Sequence, residues 1–124
     1  MKVKYSVSKY IAPVMLICVL GFSLYSNILE SPFVFDDLLD ITENPYIRLD
    51  RLTFEKIFDA AFKSPASARP IANVSNALNY YFDQYNPFGY HLVNIIVHIL
   101  AALFLFLFIY TTLQLADRQN ASDQ

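Results

Sequence analysis

The 124 residues (14.3 kDa) are 56% hydrophobic, 16% aromatic and only 16% charged, with a formal net charge of −2. Soluble domains carry about a quarter charged residues, so this composition excludes a disordered chain. Lacking a basic excess, it also excludes a nucleic-acid-binding domain. The expectation is an all-α membrane protein, with two transmembrane helices joined by an outer loop that carries two amphipathic interfacial helices.

A basic tail, residues 1–9 with Lys2, Lys4 and Lys9, precedes an uncharged stretch at residues 10–29. Twenty residues at 1.5 Å per residue extend about 30 Å, the depth of a bilayer hydrocarbon core. A signal peptide shares the basic start. However, the apolar run is long and leads into Glu30-Ser31-Pro32 with no Ala-x-Ala-like site, which favours an uncleaved anchor. Pro13 is expected in the first turn, where its missing N–H costs little. Gly21, followed by Ser23, lets a neighbouring helix approach. Cys18, the one cysteine, reads as lipid-facing or packed filler and forms no internal disulfide.

Residues 30–89 form the loop, with five Lys and Arg against nine acids. Phe33-Val34-Phe35 leads into the acids Asp36 and Asp37, with Asp40 close behind, and Asn44-Pro45 reads as a turn. Thr53 is placed to cap a helix at about 53–63, whose stripe is Phe54, Ile57, Phe58, Ala61 and Phe62. A second helix, about 70–84, opens on Pro70 and carries Ile71, Val74, Leu78 and Phe82. Helices this short are marginal alone, so each must bury its stripe against the other or in the bilayer. Tyr80, Tyr81, Phe82, Tyr85, Phe88 and Tyr90 crowd before the next span, at headgroup level if the helices lie flat on the outer surface.

The second span is expected at residues 90–115, inside an uncharged stretch of residues 84–116, with a polar, fraying tail at 116–124. Basic residues cluster tightly only in the N-terminal tail, and Arg118 follows the second span. Both termini are therefore expected in the cytoplasm and the loop outside.

Three groups of residues have chemical potential. Asp36, Asp37 and Asp40 lie close to the membrane face, where low dielectric and like charges favour a general base; a solvated acidic helix start is the plainer alternative. His91, Asn94 and His98 share one face of the second span, as site residues or as interhelical hydrogen-bond partners. His91 and His98 stand two turns apart, so no metal site is predicted from them. Arg69 before Pro70 offers a planar fork at a helix start, suited to phosphate or to lipid headgroups. Arg48 has the same two readings.

Together, Asn27, Phe33-Val34-Phe35-Asp36-Asp37, Asn44-Pro45-Tyr46-Ile47-Arg48, Arg69-Pro70, Ser75 to Tyr80 and Asn86-Pro87-Phe88-Gly89-Tyr90-His91-Leu92-Val93-Asn94, with His98, form a pattern over about residues 10–115. It resembles the N-terminal region of the tetratricopeptide-containing transmembrane O-mannosyltransferases and their bacterial relatives, of the GT-C glycosyltransferase class. The resemblance implies a first outer loop with active-site acids and two flat helices, in a bacterial inner membrane. It implies that Asp36 or Asp37 deprotonates an acceptor hydroxyl, which attacks the anomeric carbon of a polyprenyl-phosphate sugar. Arg69 would neutralise the departing lipid phosphate, and His91 and Asn94 would line or brace the site. No cofactor is predicted, and a divalent ion is left open. Such enzymes have many more spans, so the expectation is a truncated or split N-terminal module, inactive alone and partnered by membrane lipid and by remaining spans on another chain. The alternative is a non-enzymatic two-span adaptor or assembly subunit whose aromatic loop docks a larger partner.

Overall fold

The computed structural model describes residues 8–122, and every regular element among them is helical: α1 (Ser8–Tyr25), α2 (Phe54–Lys63), α3 (Pro70–Asp83) and α4 (Pro87–Ser122). Short helical turns at Ser26–Ile28, Leu38–Thr42 and Pro45–Ile47 join them. The chain divides into two units, one of residues up to Ser26 and from Ile95 onward, the other Asn27–Asn94. Lys2 and Lys4 of the basic tail, and the side chain of Lys9, lie outside the described residues.

The first unit is an antiparallel helix pair. Tyr10 meets Tyr110 edge-on at 5.0 Å between centroids, and Tyr25 meets His98 in the same way at 5.0 Å. Between them, a Cβ at Gly21 would stand 2.7 Å from Ile99 Cγ1, so glycine is what lets the two backbones approach. Ile11, Leu16, Val19, Phe104, Phe108 and Leu113 are exposed on the outside of the pair. In water that surface would be costly; in hydrocarbon it is the expected exterior. With two helices long and apolar enough to cross a bilayer, the chain is an all-α membrane protein.

Two details differ from the sequence reading. Because α1 is already helical at Ser8, Pro13 falls in its second turn rather than its first, where a proline removes one internal hydrogen bond. Meanwhile α4 continues through the polar tail to Ser122, since Ala116, Arg118 and Gln119 are good helix formers and neither Gly nor Pro interrupts them. Thirty-six residues extend about 54 Å, well beyond a hydrocarbon core.

The second unit has its own small core. Ile41, Ile47, Leu49, Ala60, Ala77 and Tyr90 are buried together, with Phe33 and Ile57 packed on them. Thr53 caps α2 by accepting from the Lys56 N–H at 3.4 Å, and Pro70 opens α3. At the start of α4, Asn86 accepts from the Phe88 N–H at 3.1 Å.

Each amphipathic stripe divides on folding. On α2, Ala60 and Ala61 go inward while Phe54, Phe58 and Phe62 stay exposed; on α3 the buried residues are Asn73 and Ala77, while Ile71 and Phe82 are exposed. Close packing of α2 on α3 selects small side chains, which the hydrophobic periodicity of α3 conceals. Two buried asparagines secure the unit. Asn44 donates to the Asp40 carbonyl (3.1 Å) and to Ser64 Oγ (3.0 Å), and accepts from the Tyr46 N–H (3.0 Å). Asn73 donates to the carbonyls of Ala61 (3.2 Å) and Ala66 (2.9 Å), fastening α3 to the end of α2.

Candidate functional site

The candidate residues Asp36, Asp37, Arg69, His91 and Asn94 all belong to the second unit. The acidic turn begins at Phe35, whose φ of 53° is left-handed, a rare state for a bulky residue. Phe35 is 87% exposed there, and Asp36 follows it on the surface. Asp36 makes no hydrogen bond or ion pair among the described residues.

Asp37 is half-buried and turned back on its own segment, its Oδ2 accepting from the Val34 N–H at 3.4 Å. The chain then passes into a π-helical turn, Leu38–Thr42, which brings Asp40 partly inside. π-Turns of this kind tend to occur at functional sites.

Arg69 lies at the N-cap position of α3, where its carbonyl accepts from the Asn73 N–H at 3.0 Å. Its guanidinium reaches Asp40 rather than Asp36 or Asp37: Nη2 donates to Asp40 Oδ2 at 2.7 Å. The Arg69 side chain is 57% exposed against 17% for Asp40. One edge of the fork is thus fixed by a carboxylate while much of its surface faces outward. An arginine in that state is pre-organised for a second anion.

His91, in the first turns of α4, places Nε2 2.9 Å from the Ser31 carbonyl and tilts against the Phe33 ring at 6.4 Å. It therefore fixes the stretch of chain that leads into the acidic turn. Asn94 is exposed and makes no hydrogen bond among the described residues.

Arg48 is engaged elsewhere. It donates to the Thr42 carbonyl at 2.9 Å and sits over the Tyr85 ring at 6.0 Å, so its role is to close the π-turn. On the far side of the unit, Lys56 beside Asp50 holds that carboxyl below its usual range, and Asp59 holds the Lys63 ammonium above its own. Among the described residues, no group of three His, Cys, Asp or Glu side chains gathers to hold a metal ion.

The sequence reading passed over three participants. Asp40 was noticed only as one of three acids, since nothing local signals a partner 29 residues away. Asn44 and Ser64, joined at 3.0 Å beneath the π-turn, gave no sign beyond turn propensity.

Comparison with known proteins gives relatives of one kind. Over 97 residues the chain is 37% identical to protein O-mannosyl-transferase Tmtc1 of Drosophila melanogaster, covering 71% of this chain and 11% of that protein. It is 35% identical over 89 residues to protein O-mannosyl-transferase TMTC1 of Homo sapiens (65% and 10%) and 34% identical over 87 residues to TMTC2 of the same species (64% and 10%). No family model and no solved structure matches. The chain spans about a tenth of the length of the curated relatives it matches. Over most of its own length it is a partial homologue of the transmembrane protein O-mannosyl-transferases, enzymes of the GT-C type.

Proposed function

We propose that this glycosyltransferase-like module contributes catalytic and donor-binding residues to the transfer of a sugar from a polyprenyl phosphate to an acceptor hydroxyl. Asp36 is the base: it is exposed and unpaired among the described residues, whereas Asp37 is occupied in holding the turn. The acceptor O–H gives its proton to Asp36 as its oxygen attacks the anomeric carbon. The bond from that carbon to the phosphate oxygen breaks, and the polyprenyl phosphate leaves with the electron pair. Arg69 faces the negative charge that develops on the phosphate, and Asp40 holds its fork in place. His91 braces the approach to the turn through Ser31, and Asn94 offers an amide to a sugar hydroxyl. Further transmembrane segments, on this polypeptide or another, complete the walls of the cavity. The termini are cytoplasmic and the second unit is extracytoplasmic.

The observation that carries this reading is the Arg69–Asp40 contact, which ties a half-exposed guanidinium to the turn that presents Asp36. It is tested with membranes from cells producing the chain, supplied with labelled polyprenyl-phosphate mannose. Asp36→Asn is expected to reduce transfer about 100-fold, the usual scale of general-base loss, and Asp37→Asn to reduce it less. Wild-type transfer by Asp36→Asn would refute the base assignment.

A further inference from the structure

A second surface is independent of the transferase chemistry. On α2, Phe54, Phe58 and Phe62 are 84%, 49% and 52% exposed and stack in single file, with ring centroids 6.3 and 4.7 Å apart. Their spacing of four puts them on one arc of the helix, while Ile57, Ala60 and Ala61 occupy the neighbouring arc, which faces the core. Glu55, Lys56 and Asp59 take the remainder, so the helix carries an apolar arc and a charged arc beside its packed one.

We infer that this phenylalanine ridge is a membrane-interface anchor, inserted among the headgroup ends of lipid acyl chains. Three observations select lipid as its occupant. First, the second unit has no linker at either end: its boundaries at Asn27 and Asn94 lead directly into the two helices apolar enough to span a bilayer. The unit is thus held within a few residues of the membrane. Second, the ridge is a row of one residue type with no recess for a protein knob. The unit's recesses, of about 170 and 350 Å³, are lined by residues such as Arg48, Arg51, Lys56 and Asp59 and by none of the three phenylalanines. Third, a helix with aromatic and charged arcs matches fluid hydrocarbon beside water, where such faces sink about 5–10 Å into the headgroup boundary.

The chain contains no tryptophan, so Phe58→Trp and, separately, Phe62→Trp each provide a single reporter. The full chain is reconstituted in phosphatidylcholine–phosphatidylglycerol vesicles whose lipids are brominated either high or low on the acyl chain, and aqueous iodide is added in parallel. Phe104→Trp in α4 serves as the deep reference. Insertion predicts that high bromine lowers the emission of the Phe58→Trp and Phe62→Trp variants about twofold, with low bromine and iodide having little effect. Strong iodide quenching would place the ridge in water and overturn the proposal. Protection from bromine and iodide alike would mean that protein, either a second copy or another chain, covers the ridge, and would overturn it equally.

Discussion

Arg69 and Asp40, 29 residues apart in the chain, meet at 2.7 Å and join the start of α3 to the π-turn that follows the acidic pair. The contact is asymmetric, with a mostly covered carboxylate and a mostly exposed guanidinium. Its stabilising effect is therefore small, as for other partly solvated pairs, and its main consequence is geometric. A double-mutant cycle of Asp40→Asn and Arg69→Gln is expected to give a coupling of about 0.5–1 kcal/mol in the thermal unfolding of the second unit. A coupling of zero would show that the pair does not fix the guanidinium.

The buried Asn44 matters more to stability. Its side chain satisfies the Asp40 carbonyl, Ser64 Oγ and the Tyr46 N–H from a fully buried position. Asn44→Ala leaves those groups unsatisfied and is expected to destabilise the unit by about 2–3 kcal/mol. Chemical denaturation in detergent checks this. A loss below about 0.5 kcal/mol, less than one ordinary hydrogen bond contributes, would indicate that the π-turn is held by other contacts.

Between α1 and α4, Gly21 has no room for a side chain against Ile99. Gly21→Leu is expected to weaken the helix pair by about 1–3 kcal/mol through overpacking, and Ile99→Ala to restore part of it. Cysteine cross-linking of positions 10 and 110, whose tyrosine rings touch, reads the pairing directly. Unchanged cross-linking in Gly21→Leu would mean that the approach at Gly21 is not what holds the helices together.

Topology is read by a cysteine at the exposed Ser67, in a background where Cys18, the chain's one cysteine, is replaced by serine. A membrane-impermeant maleimide is expected to label Ser67→Cys from outside intact cells. Labelling only after lysis would reverse the orientation drawn from Lys2, Lys4 and Lys9.

What the sequence revealed followed from local rules. Thr53 before a 3–4 stripe marks α2, Pro70 marks the start of α3, and the absence of charge marks the long apolar helices. What it concealed is tertiary. The α3 stripe of Ile71, Val74, Leu78 and Phe82 pointed to one face, yet Asn73 and Ala77 are the buried residues, because a close helix contact favours small side chains and an amide that reaches Ala61 and Ala66. The acids Asp36, Asp37 and Asp40 look equivalent in a row. Folding separates them into an unpaired surface carboxylate, a turn brace and an arginine partner. That division depends on a left-handed Phe35 and a π-turn, and neither has a reliable local signature.

The most direct measurement of the central claim is the binding of polyprenyl phosphate to the chain in lipid nanodiscs, followed by native mass spectrometry. The account predicts one bound lipid phosphate per chain and about tenfold weaker binding in Arg69→Gln, the loss of a charge-assisted contact. A chain that binds no polyprenyl phosphate, or that binds it equally well without Arg69, would contradict the account.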